Sequence, residues 1–121
     1  QVNPTIVEGQ VQGGIAQALG AALFEELVYD PESGQLANGT MIDYFMPTAA
    51  DLPFFELDHT ETLSPVTPFG VRGIGETGTI PPGAAVVNAI CDALDPFRIE
   101  INRLPITPEA VWRALEQVKR K

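Results

Sequence analysis

The chain has 121 residues, 45% of them apolar and 19% charged, with a formal net charge of −9 and one cysteine. That length is one domain or a piece of one, its apolar share is that of a folded chain, and the lone Cys91 excludes an internal disulfide and argues against a cysteine-based metal site. Residues 1–71 hold ten carboxylates and no Lys or Arg, which excludes nucleic acid as a partner. No apolar run reaches membrane-span length, no basic-plus-apolar leader is legible, and a cytoplasmic setting fits.

In chain order, Asn3-Pro4 is an extended or turning start, because the residue before proline is pushed out of the helical region. The spacing of Val11, Ile15, Leu19, Leu23 and Leu27 predicts a helix from about Glu8 or Gln10 to Tyr29. A second face of that helix carries Gln10, Gly13, Gln17 and Gly20, amides alternating with absent side chains. Glycine weakens a helix by about 1 kcal/mol relative to alanine, so these residues, with Gly14, call for a reason. Close packing against another element is the commoner one. The alternative is a flat ligand lying on the glycines, its edge hydrogen-bonded by Gln10 and Gln17.

Asp30-Pro31-Glu32-Ser33-Gly34 is a turn by composition. Thr40 to Phe45 reads as a short strand, and Phe54 to Thr62 as a second, with Phe55 and Leu57 alternating against Glu56 and Asp58. His59 falls on the solvent side of that pattern and is given no catalytic role. Past Pro65 and Pro68 comes a glycine-rich stretch, Gly70 to Ala85, then a predicted helix through Leu94 whose N-cap oxygen is offered by Thr79, with Pro81 and Pro82 in its first turn. Phe97, Ile99 and Ile101 alternate with Arg98, Glu100 and Asn102 and predict a strand. Thr107-Pro108-Glu109 opens a last helix with an apolar stripe of Val111, Leu115 and Val118, closed by Lys119-Arg120-Lys121 at the negative end of its dipole. Helices and strands mix without regular alternation, so the predicted class is α+β.

The stretch Gly73-Ile74-Gly75-Glu76-Thr77-Gly78 places one carboxylate among glycines that either adopt unusual backbone angles or admit a ligand to the main chain. It matches G-x-G-x-x-G literally. However, a dinucleotide fold needs a buried strand just before the motif, and Pro65 and Pro68 stand there instead. The nicotinamide reading is rejected. What survives is a loop leading to a helix N-terminus, whose amides suit an anion. For an arbitrary glutamate near a helix start, complementing the dipole is the commoner role. A glutamate in a closed pocket is also a general base, and the residues leave both readings open.

Gly9-Gln10-Val11-Gln12-Gly13-Gly14-Ile15-Ala16-Gln17-Ala18-Leu19-Gly20, after Asn3-Pro4, resembles the pterin-side helix of the molybdenum hydroxylases: xanthine dehydrogenase, aldehyde oxidase and aerobic carbon monoxide dehydrogenase. Gly70-Val71-Arg72-Gly73-Ile74-Gly75-Glu76 resembles the loop that carries their active-site glutamate. Tyr44 to Pro47 and Pro81 to Leu94 follow the family pattern in order, and the likeness runs from Asn3 to about Leu115.

The resemblance implies that residues 1–121 are a single C-terminal fragment of the large, molybdopterin-binding subunit. It implies a molybdopterin cofactor with molybdenum, in the cytosine dinucleotide form. It also implies carbon-centre hydroxylation by a molybdenum-bound hydroxide, with Glu76 as the base and hydride passing to a sulfido ligand. Gln10, Gly13, Gln17, Gly75, Thr77, Gly78 and Thr79 are implied as cofactor-binding, with no side-chain ligand to the metal. The implied partners are the remainder of the large subunit, iron-sulfur and FAD-bearing subunits or domains, and a small-molecule substrate. Ala18 stands where the family has glycine, and the substrate pocket and other pterin contacts belong upstream of Gln1, so the fragment alone is expected to be inactive. Two other classes stay open: a cofactor-free structural or subunit-contact domain, and an anion- or nucleotide-binding module using the Gly73–Gly83 loop.

Overall fold

A computed structural model describes residues 1–120. Three helices dominate: α1 over Pro4–Leu23, α2 over Pro82–Leu94 and α3 over Pro108–Lys119, with single 3-10 turns at Pro68–Gly70 and Asp95–Phe97.

Helix α1 starts earlier and ends earlier than its apolar spacing predicts. Asn3 is extended and its Oδ1 accepts from the Ile6 amide at 3.1 Å, an N-cap that takes one of the orphan donors of the first turn, with Pro4 at the first helical position. At the other end the Gly20 carbonyl accepts from the Phe24 and Glu25 amides at 2.9 and 2.8 Å. Beyond it, Asn38 binds the backbone that has left the helix. The Asn38 Oδ1 accepts from the Val28 amide at 2.8 Å, and its Nδ2 donates to the Glu26 carbonyl. Residues 28–37 then fold back on themselves: Ala37 N donates to Val28 O at 2.7 Å and Asp30 N to Gln35 O at 2.8 Å, around an isolated Tyr29–Leu36 bridge. The predicted Asp30–Gly34 turn is present. Gly34 has φ +70°, and the Asp30 carboxylate accepts from the Ser33 amide and hydroxyl at 2.7 Å each.

The inward face of α1 is not the predicted Val11–Leu27 stripe. Those residues are half-covered and Leu27 is 55% exposed, whereas Gly14, Ala18, Gly20 and Ala22 are buried. Small residues at 14, 18 and 22 let backbone come to the helix surface. There the Ile106 amide donates to the Ala22 carbonyl at 2.7 Å. The buried apolar core among the described residues is Ala18, Ala22, Leu94, Ile99 and Ile106. Helix α1 packs on α2.

None of the three predicted strands forms. Thr40 to Tyr44 is a turn in which the Thr40 hydroxyl donates to the Asp43 carboxylate at 2.6 Å and the Tyr44 amide to Thr40 O at 2.9 Å. Phe54 to Thr62 keeps the predicted alternation, Phe55 and Leu57 half-buried and Glu56 and Asp58 exposed, with no ladder beside it. At 97–102 the chain turns: Phe97 closes a 3-10 turn and Arg98 is left-handed at φ 53°. Only Ile99 of that alternation is buried. The architecture is therefore mostly helical, with almost no strand. Alternation reports which side chains face inward, but a strand also needs a neighbour for its amides and carbonyls.

The two later helices begin where the prolines predict. Thr107 Oγ1 accepts from the Ala110 amide at 3.1 Å, capping α3. Helix α2 departs in one respect: its N-cap is Pro81, with no side-chain cap bond, so Thr79 is not the cap. Lys119 lies in the last turn of α3 and pairs with Glu116 at 2.8 Å; Lys121 lies outside the described residues.

Two outcomes follow for stability. Ile106 is 2% exposed, so Ile106→Ala costs about 2–5 kcal/mol through lost transfer energy and the cavity left behind, read by urea unfolding. At Asp51, the Thr48 amide at 2.8 Å and hydroxyl at 2.7 Å donate to the carboxylate and hold its pKa below the ordinary value. A depressed folded value stabilises above the unfolded one and is lost as pH falls through it. Asp51→Asn should therefore speed amide exchange at Thr48 near neutral pH, with the difference from the parent vanishing in acid.

Candidate functional site

The glycine-rich loop sits directly on α1. An ideal Cβ built on Gly14 meets the Gly78 carbonyl carbon and Cα at 2.9 Å each and the Thr79 nitrogen at 3.0 Å. A Cβ on Gly78 overlaps the Val11 carbonyl oxygen and reaches the Val11 C and Cα at 3.1 Å. Both glycines are buried. Helix and loop touch main chain to main chain because neither residue has a side chain to hold them apart.

The position of that contact matters for the site. Positions 10, 14 and 17 follow at helical spacings of four and three, so they form one stripe. The loop therefore crosses α1 at Gly14, between Gln10 and Gln17, and both glutamines are exposed. Gly13 is exposed too, with nothing within 4 Å of an added Cβ, and so is Gly9. The glycines of α1 thus divide by role. Gly14 packs on the loop and Gly20 on Glu25 and Pro47, its added Cβ meeting Glu25 Oε1 at 3.1 Å and Pro47 Cδ at 3.2 Å, whereas Gly9 and Gly13 face open space. Close packing explains two of them and leaves two unexplained.

Glu76 heads the turn that runs into α2. Its carbonyl accepts from the Thr79 amide at 3.0 Å and the Ile80 amide at 3.3 Å, and the Thr77 amide donates to Ile74 O at 3.3 Å. Its side chain is exposed, as are Arg72, Gly73, Gly75 and Thr77; Thr79 is half-buried. None of Gly73, Gly75 and Gly78 adopts positive φ. The left-handed residues lie earlier, at Phe69 (φ 56°) and Gly70 (φ 68°). At Gly73 and Gly75 an added Cβ has nothing within 4 Å, so absent bulk, not backbone strain, is what these glycines offer. The first amides of α2, at Gly83 and Ala84, have no intrahelical acceptor by the geometry of a helix start.

The structure sets Gly78 and Thr79 of the loop against Gly14 and Val11 of α1; Gln10, Gly13 and Gln17 lie exposed on the same helix, and Gly75, Glu76 and Thr77 are exposed on the loop. Close packing, the commoner reason for these glycines, holds at Gly14, and the neighbour is the Gly78 main chain, which nothing local in the sequence names. Two concavities lie away from Glu76. A groove of about 320 Å³ runs beside Gln12, Gly13 and Ala16 against Ala49, Leu52, Pro53, Phe54 and Phe55. A larger hollow of about 620 Å³ at the end of α2 involves Cys91, Asp92, Asp95 and Arg98 and none of the site residues. Among the described residues no three His, Cys, Asp or Glu side chains cluster as a metal site, and no helix is long and apolar enough to cross a membrane.

Comparison with known proteins gives the family of the chain. Residues 1–53 match the molybdopterin cofactor-binding domain family. The nicotine 6-hydroxylase large subunit of Paenarthrobacter nicotinovorans is 49% identical over 117 residues, 97% of this chain and 14% of that protein. The putative xanthine dehydrogenase molybdenum-binding subunit of Escherichia coli is 40% identical over 111 residues, 92% of this chain and 14% of that protein. Among solved structures, quinoline 2-oxidoreductase from Pseudomonas putida superposes with a TM-score of 0.91 at 47% identity, over 97% of this chain and 15% of that one. The chain belongs to the molybdenum hydroxylase family, on the side of its large, molybdopterin-binding subunits. It spans about one-seventh of the length of these relatives.

Proposed function

We propose that this chain is the C-terminal portion of the catalytic large subunit of a molybdenum hydroxylase, a single piece over residues 1–121, in which Glu76 is the general base of carbon-centre hydroxylation. The observation that carries the reading is the crossing of the Glu76 loop over α1 at Gly14, between Gln10 and Gln17.

The residues present fit a molybdopterin dinucleotide by their chemistry. Exposed amides at Gln10 and Gln17 donate and accept at once, as the edge of a neutral heterocycle requires. Gly13 and Gly75 leave room for a flat group against main chain, and Thr77, Gly78 and Thr79 are the loop residues assigned to the cofactor beside them. The amides opening α2 favour an anion such as a pyrophosphate. When bound, the cofactor supplies a two-electron acceptor and an oxygen nucleophile derived from water. Glu76 would accept a proton from that oxygen, and the Glu76–Ile80 turn braces the main chain that carries its carboxylate.

Two relatives near half identical carry nicotine and quinoline in their names, which supports a ring-nitrogen heteroaromatic as the substrate. The partners of this reading are the remainder of the large subunit and iron-sulfur and flavin subunits that carry electrons away, in a cytoplasmic assembly, with the fragment alone inactive. The cytosine dinucleotide is the form of cofactor proposed.

Glu76→Gln in the full-length subunit, assembled with its partners, tests the role. Turnover of nicotine and quinoline should fall by roughly 10²–10⁴-fold with molybdenum content unchanged. Near-normal turnover would remove Glu76 from the mechanism.

A further inference from the structure

On the reading of Glu76 as base, we propose that Gly14 and Gly78 are positioning residues: their bare main-chain contact sets the height of the Glu76 carboxylate over α1, and neither touches the substrate. At each, the three nearest atoms that an added methyl would meet belong to main chain. On Gly14 these are Gly78 C and Cα at 2.9 Å and Thr79 N at 3.0 Å; on Gly78 they are the carbonyl oxygen, C and Cα of Val11. No side chain can swing away to make room, so the loop itself has to lift. Its motion passes to Glu76 through two short links. Gly78 follows Glu76 by two residues, and the Thr79 amide pressed against Gly14 is the one that donates to the Glu76 carbonyl at 3.0 Å. Downstream, Pro81 and Pro82 lead into α2, whose packing on α1 anchors the far side of the turn. The loop is pinned at Gly78 and at α2, and a lift at the first pin moves the carboxylate.

Gly9 supplies the comparison. It lies on the same helix, is exposed, and has nothing within 4 Å of an added Cβ. The experiment takes the full-length subunit with its partner subunits and compares Gly14→Ala, Gly9→Ala and Glu76→Gln. The quantities are molybdenum per chain, kcat per bound molybdenum, KM for quinoline, and the pH profile of kcat/KM. A merely structural glycine lowers yield or loading and leaves kcat per molybdenum where it was. A positioning glycine lowers kcat per molybdenum by roughly 100-fold, the size of effect that an ångström of misplacement produces, with KM held and the acid-side limb of the profile altered, while Gly9→Ala behaves as the parent. Unchanged kcat per molybdenum in Gly14→Ala, beside an inactive Glu76→Gln, would overturn the positioning role alone. An active Glu76→Gln would instead remove the reading beneath it. If Gly14→Ala does not assemble, a crystal structure of the unaltered parent decides: Gly14 and Gly78 in direct contact upholds the inference, and a side chain or water between them ends it.

Discussion

The rest of the site depends on one contact with no side chains in it, the backbone of Gly78 resting on the backbone of α1 at Gly14. A helix ordinarily keeps other main chain at a distance set by its side chains, with axes 8–10 Å apart. Here a glycine on each partner removes that spacer. The loop that carries Glu76 then lies on the helix main chain at Gly14 and Val11. The same economy of bulk continues along α1, where Ala18 and Ala22 admit the segment that brings Ile106 to the Ala22 carbonyl. A chain with large residues at 14, 18 and 22 would gain apolar area and lose the approach.

Much apolar surface stays uncovered beside this small core. Phe54 is 94% exposed and Phe69 97%, the latter in a left-handed conformation that turns its ring outward before Gly70. Ile42, Met41 and Val66 are exposed as well. Exposed apolar area on this scale ordinarily marks a contact surface. The chain spans about one-seventh of its relatives' length, and the proposed remainder of the large subunit is the natural cover.

Local chemistry was legible in the sequence. Thr107-Pro108 and Asp30–Gly34 act through a cap or a side-chain acceptor within a few residues and are present as expected, and Pro82 opens α2, one residue later than the Pro81-Pro82 pair implies. What was not legible depended on distant partners. Asn38 holds the backbone just past α1 through Glu26 and Val28, and no periodicity in residues 8–29 contains it. Phe97, Ile99 and Ile101 alternate as a strand would, yet Arg98 turns left-handed between them. At the site, Gln10, Gln17 and Glu76 were picked by residue type and by likeness to a family. A close-packed neighbour for Gly14 is expected from its place in a helix, but which neighbour is not, because it lies 64 positions away in the chain.

The central claim is that this helix and loop close around a molybdenum cofactor in the complete subunit. The most direct measurement is the molybdenum and released-nucleotide content of the full-length protein purified with its neighbouring subunits. The account predicts about one molybdenum per chain, in the manner of a tightly bound prosthetic group, with a pterin and a stoichiometric cytosine nucleotide. A well-folded protein containing neither would contradict it, and would leave Gly14 and Gly78 as packing in a domain that keeps the fold of its relatives without their chemistry.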